Sequence, residues 1–233
     1  MFCHQDLKGG HLPQDTLCLT YDDGPGPQTA ELSRFLADHG ISATFFVIGE
    51  EAASRPDVLQ QLHADGHVLG NHTWSHPGLV SCLETGGDVI HELAAAHNVI
   101  REFCDDGPIY FRPPYGNWRQ VDSETGSDCE HSIVAKALAA WGEGKHYVGP
   151  VNWDISAEDF DYWLRRRSPQ ACAAAYLDLI HEIGSGIVLM HDGSENPDIR
   201  ARNQTFAVTR QIVPELLSQG YRFIALDEVI NLP

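Results

Sequence analysis

The sequence is poor in positive charge. It carries 15 lysines and arginines against 33 aspartates and glutamates, a formal net charge of −18 at pH 7. Binding to nucleic acid or to an anionic membrane surface needs basic patches, so neither is expected as a partner, and a neutral or cationic ligand is favoured. No run approaches the roughly 18 apolar residues of a membrane span. The opening MFCHQDLKGG has neither the basic nor the apolar region of a signal peptide, which points to the cytoplasm, or to the exterior if a leader has been removed. No GxGxxG opens a helix, so a dinucleotide site has no support. There is no CxxC: Cys3, Cys18, Cys82, Cys104, Cys129 and Cys172 are scattered. A chain of this length needs no disulfide scaffold, and mostly buried thiols are expected. Repeats and low-complexity tracts are also missing.

The 233 residues are 42% hydrophobic, ordinary for a globular protein and enough for a sizeable core. Turn signals cut them into strand-like runs at 16–21, 43–48, 67–71, 109–111, 148–153, 186–190 and 221–226. Helical patterns lie between most of these, at 29–39, 56–65, 90–103, 132–140, 169–183 and 205–219. Strands alternating with helices argue for an α/β fold of parallel units, closed or nearly closed into a barrel, with an open doubly wound sheet as the alternative. The irregular stretch 117–132 reads as a solvated loop rather than a calcium loop. One domain and a monomer are expected.

Polar residues gather just after the strand ends. Asp22 and Asp23 follow the first run, His72 and His76 the third, and Arg112 the fourth. Asp154 and Asp159 follow the fifth, and His191 and Asp192 the sixth. In a βα barrel those loops open on one face, where active sites are built. His72 and His76, four apart, can grip one cation. With one carboxylate of the Asp22–Asp23 pair they form a three-ligand set that leaves positions open for water and substrate. The other carboxylate is then free to take a proton. Arg112 stands before Pro113 and Pro114, is conformationally restricted, and can hold a carboxylate ionised. The N–H of Tyr115 follows two donorless prolines and can face a developing oxyanion. His191 suits a general acid if a carboxylate keeps it protonated, with Asp159 and Asp154 as candidates. Aromatics crowd the same loops (Trp74, Tyr115, Trp118, Trp153, Phe160), and flat apolar faces suit sugar rings.

Together these segments resemble the polysaccharide deacetylases of carbohydrate esterase family 4, the NodB-homology domain, from about residue 16 to about residue 229. TYDDGP, HTWSHP, RPPYG, SAEDF and IVLMH are similar to the family's five motifs, in order. The fourth departs from the usual D-x-x-D-W, with Ser156 for the first Asp and Phe160 for the Trp. The resemblance implies a distorted (β/α)7 barrel that removes N-acetyl groups from N-acetylglucosamine-containing glycans. Removal of O-acetyl groups from xylan, and a non-catalytic glycan-binding relative, are the alternatives. It further implies Asp22 as base and Asp23, His72 and His76 as ligands of one divalent metal, with zinc first and cobalt, nickel or manganese as alternatives. Arg112 would orient the base, the Tyr115 amide would line the oxyanion hole, and His191, paired with Asp159, would be the acid. Leu189 would line the acetyl-methyl pocket, and Phe160, Trp153 and Pro114 are the other expected substrate contacts.

Overall fold

The computed structural model describes residues 2–104, 107–118 and 133–231; most of the expected loop at 117–132 lies outside them. The strands are β1 (Phe2–Leu7), β2 (Thr16–Gly24), β3 (Thr44–Val47), β4 (Val68–Asn71), β5 (Ile109–Phe111), β6 (Tyr147–Val151), β7 (Gly186–His191) and β8 (Arg222–Phe223). The helices are α1 (Thr29–Asp38), α2 (Gly49–Ser54), α3 (Pro56–Ala64), α4 (Leu79–Glu84), α5 (Val89–Ile100) and α6 (Ile133–Ala140). They continue as α7 (Asp159–Leu164), α8 (Pro169–Ile183), α9 (Pro197–Arg200), α10 (Thr205–Ser218) and α11 (Leu226–Asn231). Every strand pairing is parallel, in the order β1-β6-β5-β4-β3-β2-β7, with β8 paired to the first residues of β2. The sheet curls into a partial barrel with helices on its outside, a distorted (β/α)7 architecture. No helix among the described residues is long and apolar enough to cross a membrane.

Two expectations change. The strand read at 221–226 shrinks to two residues, because Leu226 starts α11 instead. An additional strand, β1, pairs with β6 at the sheet's edge; its sequence FCHQDL shows no apolar alternation that would announce it. The short helices α2, α4, α7, α9 and α11 are each at most six residues long, too few for a helical period to stand out.

Every residue of β2 is buried, so its sequence shows no polar face, as expected of a central parallel strand. Its two sides still differ in chemistry. Leu17, Leu19 and Tyr21 pack into the large core beneath the helices, with Phe45, Leu69, Phe111 and Val188. Cys18 turns the other way, into a smaller cluster with Phe46, Tyr110, Val151 and Ile187 that Leu226 and Val229 of α11 help to fill. The period of two then puts Thr20 and Asp22 on the side of Cys18, inside the curl. Burial pushes the Cys18 thiol up to about 12, so it is an inert packing residue.

The seam of the barrel is closed by Asp154. Its Oδ2 accepts hydrogen bonds from the backbone N–H groups of Gly9 (2.7 Å) and Ile187 (2.9 Å). The adjacent Ile155 makes a parallel bridge to Val188. Gly9 fits here because a Cβ would lie 2.9 Å from the Ile187 nitrogen. Asp154 is therefore spent on closing the sheet, and it is not the partner of His191.

Phe45 is 1% exposed and stacks on Tyr21 with ring centroids 5.1 Å apart. Phe45→Ala should lower unfolding stability by about 3–5 kcal/mol, the usual cost of a large aromatic cavity, measurable by urea denaturation. A loss below about 1 kcal/mol would show that this layer does not carry the core.

Candidate active site

The site is built upward from the inward column of β2. Arg112, at the end of β5, is fully buried, and a buried cation is tolerable only when its donors are satisfied. Its Nη1 donates to Asp22 Oδ1 at 2.7 Å and to Thr20 Oγ1 at 2.8 Å. Its Nε and Nη2 donate to the carbonyls of Val151 (3.1 Å) and Asn152 (3.2 Å). The guanidinium lies 4.3 Å from the Phe46 ring centroid, and that ring rests on Gly70, where a Cβ would come within 2.5 Å of it. Asp22 is thus paired with the guanidinium, held in one orientation and 3% exposed.

Adjacent residues on a regular strand face opposite sides, yet Asp22 and Asp23 both line one cavity. The pairing of β2 with β3 slips between Asp22 and Gly24, and Asp23 has φ 68°, an uncommon value for a residue with a side chain. The irregularity swings the Asp23 carboxylate to its neighbour's side. There Asp23 Oδ1 lies 3.4 Å from His72 Nε2 and 3.2 Å from His76 Nε2. His72 Nδ1 donates to the Arg112 carbonyl at 2.7 Å, which fixes the tautomer and leaves the Nε2 lone pair facing Asp23. The histidines come from no regular helix: Thr73 and His76 have φ 70° and 61°. Asn71 Oδ1 and Thr73 Oγ1 accept from the amides of Thr73 and His76, and Glu92 accepts from those of Trp74 and Ser75.

Asp23 Oδ1 is buried and accepts no hydrogen bond among the described residues. A buried carboxylate oxygen without a donor, facing two imidazole nitrogens, is suited to a cation between them. The three ligand atoms lie within 4.8 Å of one another, and two nitrogens with one carboxylate form a donor set that fits a divalent metal such as zinc. Burial alone would raise the Asp23 carboxyl, but the two imidazoles hold it well below the usual range. Burial likewise favours neutral His76, and the Asp23 carboxylate outweighs it and raises the ring.

Across the cavity, His191 Nδ1 lies 2.7 Å from Asp159 Oδ1, and its backbone N–H donates to Asp159 Oδ2 at 2.9 Å. Asp159 is completely buried and also accepts from Thr205 Oγ1, which in turn accepts from Trp163 Nε1. Burial opposes a charge on His191, yet the Asp159 carboxylate raises the ring to about 10. Asp192, the next residue, accepts from Thr29 Oγ1 and donates its own N–H to the Asp22 carbonyl; burial pushes its carboxyl up to about 7.

The cavity between these groups has a volume of about 610 Å³, within the usual range for small-ligand sites. Leu189, Trp153, Phe160 and Tyr115 line it, together with the ligand set, Asp22 and His191. Phe160, where the resembled motif has tryptophan, sets its ring edge against His191 at 5.6 Å. The Tyr115 ring meets His76 edge-on at 4.7 Å, and its backbone has φ 60° in the turn after the two prolines. Pro114 is buried and is not part of the cavity wall. Sequence reasoning missed Lys8 and Glu195, which also line the cavity, and Thr20, Glu92 and Thr205, which support its residues. Thr20 was recoverable from the period of β2; the others carry no local signal.

A curled parallel sheet that gathers a paired carboxylate, an N2O donor set and a protonated imidazole round one cleft is built as a hydrolase. The profile described as polysaccharide deacetylase matches residues 9–131. A chitooligosaccharide deacetylase of Sinorhizobium fredii is 33% identical over 218 residues, covering 90% of this chain and 89% of its own. A peptidoglycan-N-acetylglucosamine deacetylase of Bacillus cereus is 28% identical over 219 residues, covering 92% and 70%. Among solved structures, a polysaccharide deacetylase from Bacillus cereus matches with a TM-score of 0.68 at 27% identity, covering 95% of this chain and 96% of that one. The chain belongs to the polysaccharide deacetylase family.

His191 is protonated below about 10 and loses its proton above it, whereas an unperturbed histidine titrates near 6.5. The pairing with Asp159 therefore stabilises the fold fully below about pH 6.5 and stops doing so as pH rises through about 10. In NMR titration, Asp159→Asn should bring His191 down towards ordinary values. An unmoved His191 in that variant would break the assignment of Asp159 as its charge partner.

Proposed function

We propose that the protein hydrolyses the N-acetyl groups of N-acetylglucosamine-containing glycans, releasing acetate and leaving a free amine. The observation that carries this reading is the division of the acidic pair: Asp22 is held by Arg112 at 2.7 Å, and Asp23 faces His72 and His76. Relatives named for chitooligosaccharide and for peptidoglycan N-acetylglucosamine deacetylation, similar over most of the chain, support the same substrate class.

Asp23, His72 and His76 would hold one divalent ion, with zinc preferred for its affinity for such donors; when bound it supplies Lewis acidity towards the acetyl carbonyl and lowers the pKa of water. Asp22 takes the proton of the attacking water, and Arg112 holds that carboxylate pointed by its hydrogen bond. The backbone N–H of Tyr115 donates to the oxygen that gains charge as the carbonyl carbon becomes tetrahedral. With Nδ1 engaged by Asp159, His191 presents its other N–H to the cavity and protonates the departing amine as the C–N bond breaks. Leu189 supplies apolar surface for the acetyl methyl, and Trp153 and Phe160 supply flat faces for the sugar. The product amine is cationic, and a cavity edged by Asp154, Glu158 and Glu195 accommodates that charge.

Asp22→Asn should leave the bound metal unchanged and cut acetate release from chitooligosaccharides by at least about 10²-fold, the lower range for loss of a general base. His72→Ala and His76→Ala should lose the metal as measured by elemental analysis. Activity retained in the first variant, or metal retained in the others, overturns the roles assigned. Peptidoglycan and acetylated xylan assayed alongside test the glycan class.

A further inference from the structure

A second cleft lies beside α7. It has a volume of about 330 Å³ and is lined by Trp163, Arg166, Arg167, Ala201, Arg202, Asn203 and Gln204. Three of those seven residues are arginines, in a chain with only 15 basic residues and a net charge of −18. Chance placement would put fewer cations there and more carboxylates, yet no Asp or Glu is among the lining residues. Arg166 and Arg167 form no ion pair among the described residues. The neighbouring Arg165 is taken by Asp161 at 2.8 Å, and Arg202 has only a loose pair to the exposed Asp198 at 3.6 Å. The Arg167 guanidinium stacks 5.3 Å from the Tyr162 ring centroid, which holds its planar face and leaves its edge donors unused. Two other donors of the cleft are already spent: Trp163 Nε1 on Thr205, and Asn203 Nδ2 on the carbonyls of His191 and Gly193.

We propose that this cleft is a binding site for an oxyanion, a phosphate or carboxylate group held by Arg166, Arg167 and Arg202. Planar guanidinium forks match the paired oxygens of such groups. The catalytic cavity is lined by five carboxylates, Asp22, Asp23, Asp154, Glu158 and Glu195, against Lys8 and His191, so the two openings differ in the charge of their walls. They also draw on the same two segments. The helix α7 sends Phe160 to the cavity and Trp163 to the cleft, and the segment 199–204 contributes Ile199 to one and 201–204 to the other. An anionic substituent carried by a saccharide is therefore one source of the ligand, and the free anion is the other. The binding claim stands independently of the deacetylation reading.

Calorimetric titration of the full chain with inorganic phosphate at low salt tests it. Wild type should bind, 0.5 M NaCl should weaken binding through charge screening, and Arg166→Gln/Arg167→Gln should weaken it by about tenfold or more. Arg166→Lys/Arg167→Lys, which keeps the charge and loses the fork, should fall between. All three arginines are at least partly exposed, and circular dichroism verifies the fold of each variant. Tighter binding of N-acetylglucosamine 6-phosphate than of both phosphate and N-acetylglucosamine assigns the saccharide as the source; equal binding of the two phosphates assigns the free anion. No phosphate binding by wild type, or equal binding by wild type and the double glutamine variant, overturns the proposal.

Discussion

A guanidinium with no access to water governs the design of this protein. Arg112 lies inside the curl of the sheet, and an unpaired charge there would cost several kcal/mol. The fold answers with Asp22 and Thr20 from β2, two carbonyls from the end of β6, and the Phe46 ring from β3. Three strands are thereby committed to one orientation around one side chain. The same residue's carbonyl accepts from His72, so the alignment of the donor set also follows from where Arg112 sits. Asp22 and the Asp23–His72–His76 cluster are coupled through a single residue rather than placed separately.

The remaining polar groups follow one rule: each charge has its own counterpart. Asp22 faces Arg112, Asp23 faces two imidazoles, and Asp159 faces His191. Four carboxylates in a small volume, counting Asp192, would repel one another if all were ionised and unpaired. Asp192 escapes because burial raises it to about 7, outweighing the hydrogen bond from Thr29 that lowers it. Backbone strain is the means of sorting. Asp23, Thr73, His76 and Tyr115 all have positive φ, and such strain concentrates where a side chain must be aimed against its local preference.

Much of this could be read from the sequence, for physical reasons. Strand runs and long helices announce themselves by period, and α1, α3, α5, α8 and α10 fall where the apolar spacing puts them. The ligand-type residues stand out because charged groups at the ends of apolar strands are otherwise unfavourable. The hidden parts are those without a local rule. Pairing of β1 with β6 joins residues more than 140 positions apart, and FCHQDL carries no alternation. The choice between Asp154 and Asp159 as partner of His191 depends on which side of a turn each carboxylate leaves, and the structure gives Asp154 to the seam. Pro114, an expected substrate contact, is buried within the turn that carries Tyr115, and burial of a turn residue depends on neighbours that the local sequence does not show.

That seam has a mechanical meaning. The five motifs begin at Thr20 and end at His191, yet the barrel wall on one side is completed by residues that precede them all. Gly9 lends its amide to Asp154, Leu7 receives the amide of Asn152 through its carbonyl, and Lys8 between them reaches the cavity. The chain's entry into the fold is thus a stave of the barrel: the segment bearing the chemistry is smaller than the container that holds the substrate.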